Sequence, residues 1–542
     1  MKIALAQLNF TIGDFEQNTK KIIAAIHDAK KQHVDLVIFS ELAVCGYPPR
    51  DFLNSKDFIK KAMASIEKIA AVCDGIAAIV GAPSRNEASE GKLLYNTAYF
   101  LEDKKINAKV HKTLLPTYDV FDEARYFQVN KSFELIEYMG KKIAVTICED
   151  IWDVGERKLY EQNPMLQISK LEPDFMINIS ASPFHYKHLE ERKEVLLKNA
   201  RIYNLPIFYV NQIGAHTEII FDGGSMVCNA KGDIIAQMDL FKETTHVFDT
   251  DNLIVENVPG KHERMSLIYD ALVLGIKDYF NKLGFKKAIL GLSGGLDSAV
   301  TLVLAKQALG KENVIVVLLP SAFSSDHSIA DAEELAKNID VQYDILPIKE
   351  VTELIEAKLE PLFLDKTFGL TEENIQARTR GLLLMALANK YNYILLNTTN
   401  KSEMSVGYGT LYGDLNGGLS ILGDLYKTQV YELANFYNKK IEKVIPENTI
   451  IKAPSAELRP NQKDTDSLPD YDILDKILFA YVDENKDAAT IIQMGCDKEL
   501  VNKVLKMVNA SEYKRFQTAP VLRVSNKAFG IGRRMPIVAK YS

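Results

Sequence analysis

The sequence predicts a two-domain α/β protein, and three observations lead to this fold class. First, the chain has 542 residues, more than one hydrophobic core usually holds. Second, short apolar strands and amphipathic helices share residues 1–250, which predicts a layered α/β or α+β domain. Third, strands alternate with helices through residues 266–542, which predicts a doubly wound parallel sheet. We expect a connection at residues 251–265, where Pro259-Gly260 breaks the pattern.

The elements of the first domain follow from the spacing of its apolar residues. NTKKIIAAIHDAKKQH has apolar residues at helical spacing and is predicted to be a helix. Strands are predicted in KIALAQL, VDLVIFSE, GIAAIVGAP, NTAYFLED, KIAVTICED, DFMINIS and LPIFYVNQ. The strand pattern fades near HVFDTDNLIVENVPG, which places the end of the domain there.

The second domain begins with the predicted helix RMSLIYDALVLGIKDYFNKLGF. Strands are expected in KKAILGL, NVIVVLLP, QYDILPI and NYILLNTTN. The helices between them are predicted in DSAVTLVLAKQAL, SIADAEELAKNI and NIQARTRGLLLMALANKY. This order is that of a parallel sheet with helical crossovers.

Composition and charge argue against a nucleic-acid-binding protein and against a membrane protein. Hydrophobic residues make up 47% of the chain and the net charge is −7, which does not support a nucleic-acid or membrane-surface partner. No apolar run reaches the roughly 18 residues of a membrane span, and the first residues lack the pattern of a signal peptide. The 5 cysteines form no CxxC pair, and an odd number fits a reducing compartment. We expect a cytoplasmic protein.

A glycine-rich turn at residues 288–300, AILGLSGGLDSAV, joins a predicted strand to a predicted helix. Such a turn offers free backbone N–H groups and a helix N-terminus to an anion, so phosphate is the first hypothesis. The turn is neither a Walker A loop nor a GxGxxG fingerprint. Asp297 would repel a phosphate unless it held Mg²⁺. A purely structural turn is the alternative for an isolated glycine cluster.

The turn resembles the signature of the N-type ATP pyrophosphatases, which split ATP to AMP and pyrophosphate while activating a carbonyl or carboxylate oxygen. The resemblance implies an adenine nucleotide alpha hydrolase fold, which is Rossmann-like. It also implies that ATP is bound by Gly291, Leu292, Ser293, Gly294, Gly295, Leu296, Asp297, Ser298 and Thr398.

Further motifs in the second domain narrow this resemblance. TEENIQARTRGLLLMALAN, NTTNKSE, GYGTLYGDLNGG, DLYKTQVYELA, PSAELRPNQKDTDSLPDYDILDKIL and the tail YKRFQTAP…KAFGIGRRMPI are similar to the NAD synthetase family. The resemblance implies that ATP adenylylates the nicotinate carboxylate of deamido-NAD and that ammonia then displaces AMP. It also implies dimerisation through this domain.

The same resemblance assigns expected roles to single residues. Mg²⁺ would be ligated by Asp297 and Glu403, and Glu403 lies just past a predicted strand, where α/β ligand sites form. Deamido-NAD would be contacted by Asn374, Glu403 and Lys514. Lys427 would lie on a loop that closes over the phosphates and neutralise their charge. Taken alone, each residue could equally be a solvated charge or a helix cap.

Three residues of the first domain form a candidate catalytic set. Glu41, Lys112 and Cys148 each follow a predicted strand, and such strand ends can converge at one edge of a sheet. A helix cap, an exposed lysine and a buried small hydrophobe are the ordinary alternatives.

The order Glu, Lys, Cys and the segment SELAVCGYPPRDFL resemble the nitrilase superfamily, in particular the amidase domains fused to NAD synthetase. The resemblance implies an α-β-β-α sandwich and a glutaminase that supplies ammonia. Glu41 would be the general base, Cys148 the nucleophile, and Lys112 would stabilise the oxyanion and lower the pKa of the thiol.

The resemblance also implies residues around this triad. Glu123 matches a second acid beside the triad, while Tyr118 and Ser182 match positions that contact glutamine. The family often has a lysine six residues after that serine. Here the position is His188, preceded by Lys187, and His188 is the expected partner of the glutamine carboxylate.

Ammonia released at neutral pH is mostly ammonium, which is not a nucleophile, so we expect a closed path, an ammonia tunnel, between the two sites.

Three alternative functions are less consistent with the sequence. A tRNA-thiolating pyrophosphatase would need basic patches and cysteines near the loop, but no cysteine lies between residues 229 and 495. An inactive scaffold would have lost some of the residues named above. A GMP synthetase would carry a Cys-His-Glu glutaminase.

Overall fold

The chain divides into two units, Met1–His262 and Glu263–Ser542. The structure, a computed structural model, describes residues 1–155, 158–255, 258–363 and 367–541. Two residues of the connection expected at 251–265, at positions 256 and 257, therefore lie outside the described residues. Among the helices of the described ranges, none combines the length and the apolarity that crossing a membrane requires.

The first unit contains fourteen strands and four α-helices in its described residues. The strands are β1 (Lys2–Gln7), β2 (Leu36–Ile38), β3 (Ala77–Arg85), β4 (Leu94–Glu102), β5 (Lys105–His111), β6 (Ile136–Tyr138), β7 (Lys141–Ile147), β8 (Phe175–Ser180), β9 (Ile207–Asn211), β10 (Ile213–His216), β11 (Ile219–Asp222), β12 (Met226–Cys228), β13 (Ile234–Gln237) and β14 (Thr244–Asp249). The helices are α1 (Phe15–Lys31), α2 (Lys56–Ala70), α3 (Pro164–Ser169) and α4 (His188–Tyr203).

Two six-stranded sheets pack face to face in this unit. Their orders are β14-β1-β2-β3-β4-β5 and β13-β12-β9-β8-β7-β6, and β10 and β11 form a separate pair. Buried side chains from both sheets, such as Leu5 and Ile177, share one core between them. The outer faces are covered by α1 and α2 on one side and by α3 and α4 on the other. This is the predicted α-β-β-α sandwich.

A glycine in β3 allows two segments of the first sheet to approach closely. A Cβ atom on Gly81 would lie 2.4 Å from the backbone N of Leu42 and 2.5 Å from the carbonyl O of Ser40. Real Cβ atoms are not found this close to backbone atoms, so any other residue would push the Ser40–Leu42 segment away. Gly81 therefore fixes the position of Glu41, which lies in that segment.

The second unit alternates helices and strands. The strands are β15 (Ala288–Gly291), β16 (Val314–Leu318), β17 (Gln342–Ile345), β18 (Ile394–Asn397) and β19 (Leu419–Ser420). The helices are α5 (Arg264–Leu283), α6 (Leu296–Leu309), α7 (Asp326–Asn338), α8 (Lys349–Phe363), α9 (Leu370–Tyr391), α10 (Lys401–Val406), α11 (Lys427–Phe436), α12 (Glu447–Ile451), α13 (Tyr471–Leu478), α14 (Ala488–Gln493), α15 (Lys498–Ala510) and α16 (Glu512–Arg515).

The sheet of this unit has the order β17-β16-β15-β18-β19. All four pairs of neighbouring strands are parallel, which confirms the predicted doubly wound sheet. The strand order reverses between β15 and β18. In such sheets ligands bind outside the carboxyl ends of the strands at this switch point, and the glycine-rich turn follows β15 there.

The last part of the chain is fastened to this unit through buried charged groups. Asp424 accepts hydrogen bonds from the backbone N–H groups of Val524 (2.8 Å) and Ser525 (2.6 Å). It also pairs with Lys401 Nζ at 3.0 Å, and Lys401 pairs with Asp483 at 3.1 Å. Lys401 is the first residue of α10, the helix that carries Glu403. The segment around Val524 and Ser525 and this helix are therefore held by the same network of buried charges.

We expect Gly81→Ala to destabilise the first unit by about 1–3 kcal/mol, because the added methyl group forces backbone displacement. Thermal unfolding followed by circular dichroism should show a lower midpoint than the wild type. Gly260→Ala is the control, since a Cβ there would meet nothing within 4 Å. Equal midpoints for the two variants would contradict the close approach.

Candidate functional site

The first unit holds a buried lysine between two carboxylates. Lys112 follows β5, and its Nζ donates hydrogen bonds to Glu41 Oε1 (2.7 Å) and Glu123 Oε1 (2.8 Å). The side chains of Lys112 and Glu41 are fully buried. Burial alone would lower the pKa of Lys112, but Glu123, Glu41 and Cys148 raise it well above its usual value. The lysine therefore carries a permanent positive charge in this site.

Neighbouring donors hold each carboxylate in place. Asn96 Nδ2 donates to Glu41 Oε1 at 2.7 Å, and the backbone N–H of Ala181 donates to Glu41 Oε2 at 3.0 Å. The hydroxyl of Tyr47 donates to Glu123 Oε1 at 2.8 Å. Burial raises the pKa of Glu123, whereas Lys112 lowers it. Glu41 and Glu123 thus belong to one charge cluster with Lys112.

Cys148 directly follows β7 and is buried. Its backbone has a φ of 44°, a left-handed conformation that non-glycine residues rarely adopt and that often occurs at functional turns. Burial and the charge of Glu41 raise the pKa of the thiol well above its usual value, although Lys112 lowers it. Lys112 therefore lowers the pKa of the thiol as expected, but burial and Glu41 raise it by more, so the thiol is protonated.

Asp150 connects the turn that carries Cys148 to the segment that carries Lys112. Its Oδ2 accepts from the backbone N–H of Ile147 (2.9 Å), and its Oδ1 accepts from the backbone N–H groups of Thr113 (3.0 Å) and Leu114 (2.8 Å). Burial raises the pKa of Asp150 to about 6. This carboxylate fixes the two strand ends relative to each other.

The residues expected to contact glutamine fall into two groups. The hydroxyl of Tyr118 donates to the carboxylate of Glu149 at 2.9 Å, as does the hydroxyl of Tyr160. Glu149 is next to Cys148, and burial raises its pKa to about 7. Ser182 Oγ lies 2.9 Å from His188 Nε2. Tyr118 and Glu149 thus form one group, and Ser182 and His188 form the other.

In the second unit, the glycine-rich turn has the backbone of an anion site. Gly294 has a φ of 79°, and a Cβ on it would lie 2.1 Å from the carbonyl O of Ser328. Ser293 Oγ accepts from the N–H of Gly295 at 3.2 Å, and Ser298 Oγ donates to the carbonyl of Gly295 at 3.0 Å. These bonds shape the turn into the start of α6.

A pocket of about 310 Å³ opens at this turn, at the carboxyl ends of β15 and β18. Of the residues expected to bind ATP or its phosphates, the pocket is lined by Gly291, Leu292, Ser293, Gly295, Leu296, Thr398 and Lys427. Gly294, Asp297 and Ser298 do not line it. Arg380 and Lys452 also line the pocket and add positive charge.

A second lysine lies between two carboxylates beside this pocket. Lys427 Nζ donates to Asp297 Oδ2 and lies 3.9 Å from Glu403 Oε1. Asn400 Nδ2 donates to Asp297 Oδ1 at 3.0 Å. Burial and the charge of Asp297 raise the pKa of Glu403 well above its usual value, and Lys427 lowers it. Two carboxylates whose charges repel are thus held at one point and share one cation.

Lys427 differs from its predicted setting. The resemblance implies a loop at this position, whereas the structure places Lys427, buried, at the first residue of α11. The backbone N–H of Lys427 donates to Ser402 Oγ at 2.8 Å, and Gln429 caps the helix through the N–H of Tyr426 at 3.0 Å. The capping residues therefore extend the helix to the lysine.

The two remaining residues expected at the deamido-NAD site contact one short turn. Asn374 Oδ1 accepts from Thr410 Oγ1 at 2.7 Å. Lys514 Nζ donates to the carbonyls of Gly407 (2.7 Å) and Gly409 (2.8 Å). The turn directly follows α10, which carries Glu403. Asn374 and Lys514 are thereby brought together at the end of the helix that carries Glu403.

Sequence reasoning did not find Glu149, Asn96, Asp150 or Asn400. An acid directly after a candidate nucleophile could have drawn attention to Glu149. Asn96 lies within β4 and Asp150 lies within a short turn. The sequence pattern around these two residues does not indicate that they contact the candidate catalytic residues. Asn400 precedes the predicted ligand Glu403 by three residues and caps α10, so it reads as an ordinary helix cap.

Comparison with known proteins agrees with the two-part architecture. Residues 2–256 match the family described as carbon-nitrogen hydrolase, and residues 268–518 match the family described as NAD synthase. The chain shares its fold with the glutamine-dependent NAD(+) synthetase from Cytophaga hutchinsonii, at 22% identity and a TM-score of 0.83 over 99% of this chain and 98% of that chain.

Full-length relatives are much more similar in sequence. The glutamine-dependent NAD(+) synthetase of Synechocystis sp. is 44% identical over 99% of both chains, and that of Acinetobacter baylyi is 41% identical over 99% of this chain and 98% of its own. The solved structure of the Acinetobacter baumannii enzyme, in complex with ADP, is 40% identical with a TM-score of 0.79 over 99% of this chain and 98% of that chain. Because these relatives match from end to end, the chain belongs to the family of glutamine-dependent NAD(+) synthetases.

Proposed function

We propose that this protein forms NAD from deamido-NAD, ATP and glutamine, and releases AMP, pyrophosphate and glutamate. The observation that carries the proposal is that one chain of this family holds two sites of different chemistry. One is a thiol beside a Glu41–Lys112–Glu123 cluster, and the other is a glycine-rich turn beside an Asp297–Lys427–Glu403 cluster. We assign glutamine hydrolysis to residues 1–250 and NAD formation to residues 266–542.

The thiol site suits hydrolysis of the glutamine side-chain amide. Glu41 removes the proton of Cys148 as the sulfur attacks the amide carbon. The tetrahedral oxyanion then collapses to a thioester, and Glu41 gives its proton to the leaving nitrogen, which departs as ammonia. Water, deprotonated by the same carboxylate, then attacks the thioester and releases glutamate. The charge of Lys112 stabilises both oxyanions. The raised thiol pKa supports a base-assisted attack rather than a preformed thiolate.

The two charged ends of glutamine need polar partners. We assign its α-ammonium group to Glu149, because that buried carboxylate lies next to Cys148 and is oriented by Tyr118 and Tyr160. We assign its α-carboxylate to Ser182 and His188. Tyr118 is 46% exposed, which leaves it accessible from solvent.

The second site suits adenylylation of a carboxylate. Gly291–Ser298 and Thr398 would bind ATP, and the nicotinate carboxylate of deamido-NAD attacks its α-phosphorus while pyrophosphate leaves. Ammonia then displaces AMP. Lys427 neutralises phosphate charge, and Asn374, Glu403 and Lys514 contact the deamido-NAD. The positive charge of Arg380 and Lys452 at the pocket supports a polyphosphate ligand.

Mg²⁺ fits the donor set of this site. Asp297 and Glu403 are two close carboxylates, the oxygen ligands that Mg²⁺ prefers together with water and phosphate oxygens. Burial and the charge of Asp297 raise the pKa of Glu403, so a cation beside it would favour its ionised form. When bound, the ion would neutralise the charge that develops on pyrophosphate.

We also propose a homodimer formed through the second unit and a cytoplasmic location. Exposed apolar side chains on α8 and α9, namely Leu354, Leu362, Leu370 and Leu382, support association with a second copy. A nucleophilic thiol and the use of ATP suit the reducing cytoplasm.

Cys148→Ala should reduce glutamine-dependent NAD synthesis by roughly 10³-fold or more, because the nucleophile is lost. Synthesis with ammonium chloride at pH 8.5 should stay near the wild-type rate. Cys228→Ala is the control, since Cys228 is a second buried cysteine of the same unit, located in β12. A folded Cys148→Ala protein that also fails with ammonium would contradict the division of chemistry.

Asp297→Asn and Glu403→Gln should each slow NAD synthesis by roughly 10²-fold or more with either nitrogen donor, because charge stabilisation of the departing pyrophosphate is lost. AMP release should be measured across a Mg²⁺ titration. The exposed Glu499→Gln serves as the control. Wild-type AMP release with an unchanged Mg²⁺ dependence in both variants would remove these residues from the site.

We propose that ammonia reaches the second site without equilibrating with solvent, through a tunnel. Ammonium has a pKa on the order of 9 or above, so at pH 7 free ammonia would be almost entirely protonated. Amide-¹⁵N glutamine supplied with excess unlabelled ammonium should give NAD enriched in ¹⁵N above the bulk value. Complete dilution of the label would contradict the proposal.

A further inference from the structure

Two histidines and a glutamate form a cluster beside Ser182. His188 begins α4, His185 lies three residues before it, and Glu191 lies one helical turn after it. Glu191 Oε2 is 2.9 Å from His188 Nδ1 and 3.3 Å from His185 Nε2. One carboxylate oxygen therefore lies within hydrogen-bonding range of both rings.

The spacing of these atoms fits a single metal ion. One donor atom from each of the three residues lies within 4.8 Å of the others. Tetrahedral ligands at zinc bond lengths of about 2.1 Å lie roughly 3.4 Å apart, close to the distances measured from Glu191. Two imidazoles and one carboxylate are also a common ligand set for zinc when a fourth position stays open.

The surroundings hold the ligands in place. The ring of His188 stacks on Trp152, with centroids 5.1 Å apart and an interplanar angle of 6°. Its second nitrogen, Nε2, lies 2.9 Å from Ser182 Oγ, the type of outer contact that orients metal-bound histidines. The side chains of His185 and His188 are 7% and 15% exposed, whereas that of Glu191 is 47% exposed. An ion can therefore enter from the Glu191 side.

We infer that His185, His188 and Glu191 bind a divalent ion of the zinc class, and that this ion supplies the positive charge that binds the α-carboxylate of glutamine. The role of the ion in binding the glutamine carboxylate rests on the proposed glutaminase function. The His188 ring lies between the two groups, with Nδ1 2.9 Å from Glu191 Oε2 and Nε2 2.9 Å from Ser182 Oγ, so an ion on Nδ1 lies close to the serine that is assigned to the glutamine carboxylate. A divalent ion has a charge of +2 and the Glu191 carboxylate a charge of −1, so the bound ion and Glu191 together present a net charge of +1 to the carboxylate of glutamine.

Metal binding also changes the hydrogen bond to Ser182. Without metal, Nδ1–H of His188 donates to Glu191, so Nε2 accepts the hydroxyl proton of Ser182. With metal on Nδ1, the ring proton moves to Nε2 and donates to Ser182 Oγ, which frees the hydroxyl proton for the substrate. No net proton is gained or lost by the ring. Ser182 thus becomes a donor to a carboxylate only when the ion is present.

We expect the His185–His188–Glu191 site to bind a metal ion with moderate affinity. His185 Nδ1 is buried and has no hydrogen-bond partner in the part of the chain that the structure describes. When the metal takes Nε2, the ring proton must occupy Nδ1, where it finds no acceptor. The site should therefore bind metal more weakly than a structural zinc site.

Cobalt binding tests the site directly. The full-length chain, stripped of metal and carrying Cys148→Ala so that the thiol cannot contribute, is titrated with Co²⁺. We expect about one Co²⁺ per chain with the visible absorption of four-coordinate cobalt, displaced by Zn²⁺. His185→Asn and Glu191→Gln should weaken binding by roughly tenfold or more, and the exposed His27→Asn should not. Equal titration curves for all four proteins would overturn the metal site.

Glutamine kinetics test the role of the ion. Glutaminase assays on the chain with Cys148 intact, with one equivalent of Zn²⁺ or after chelation, should show a lower glutamine KM with metal and little change in kcat. In His185→Asn the KM should not respond to metal. Metal binding without this KM response would overturn the carboxylate role. Cobalt binding needs no activity, so an inactive glutaminase that still binds Co²⁺ would contradict the proposed function and leave the metal site standing.

Discussion

The central physical constraint is the cost of burying charge, and both units meet it in the same way, with a lysine between two carboxylates. Lys112 lies between Glu41 and Glu123, and Lys427 lies between Asp297 and Glu403. Removing one partner would leave an uncompensated buried charge, which is strongly destabilising. The surrounding donors, Asn96 and the Ala181 N–H in one unit and Asn400 in the other, satisfy the remaining oxygen atoms. The groups that we propose to be catalytic are therefore also structural groups in both sites.

The two lysine–carboxylate clusters differ in how far their charged groups are exposed to solvent. In the first unit the lysine is fully buried, and the neighbouring thiol is kept protonated by burial and by Glu41. In the second unit Asp297 and Glu403 are each 17% exposed and open beside a pocket. The first arrangement suits transfer of a proton within a closed site. The second suits the arrival of a multiply charged ligand together with a cation.

The sequence predicts most of the fold because apolar runs and their spacing record which faces are buried. The parallel strands β15, β16 and β18 are short apolar runs and are readily recognised. By contrast, β14, TTHVFD, has one buried residue, Phe248, among exposed and partly buried ones, and its pairing with β1 spans the whole unit. Nothing local indicates that partner. Likewise, Asp150 and Asn96 act through contacts between distant segments, so linear spacing contains no sign of them, whereas Glu41, Lys112 and Cys148 follow recognisable strands.

The anchoring of the chain end has a consequence for how the protein matures during synthesis. The first unit is contiguous, and its last strand, β14, is complete by Asp249, so its sandwich can close while the rest is still being translated. The second unit is different, because Asp424 and Lys401 bind backbone and side-chain groups of Val524 and Ser525. Until those residues leave the ribosome, the buried charges of Asp424 and Lys401 lack part of their partners. The first unit can thus fold on the nascent chain well before the second unit can complete this network.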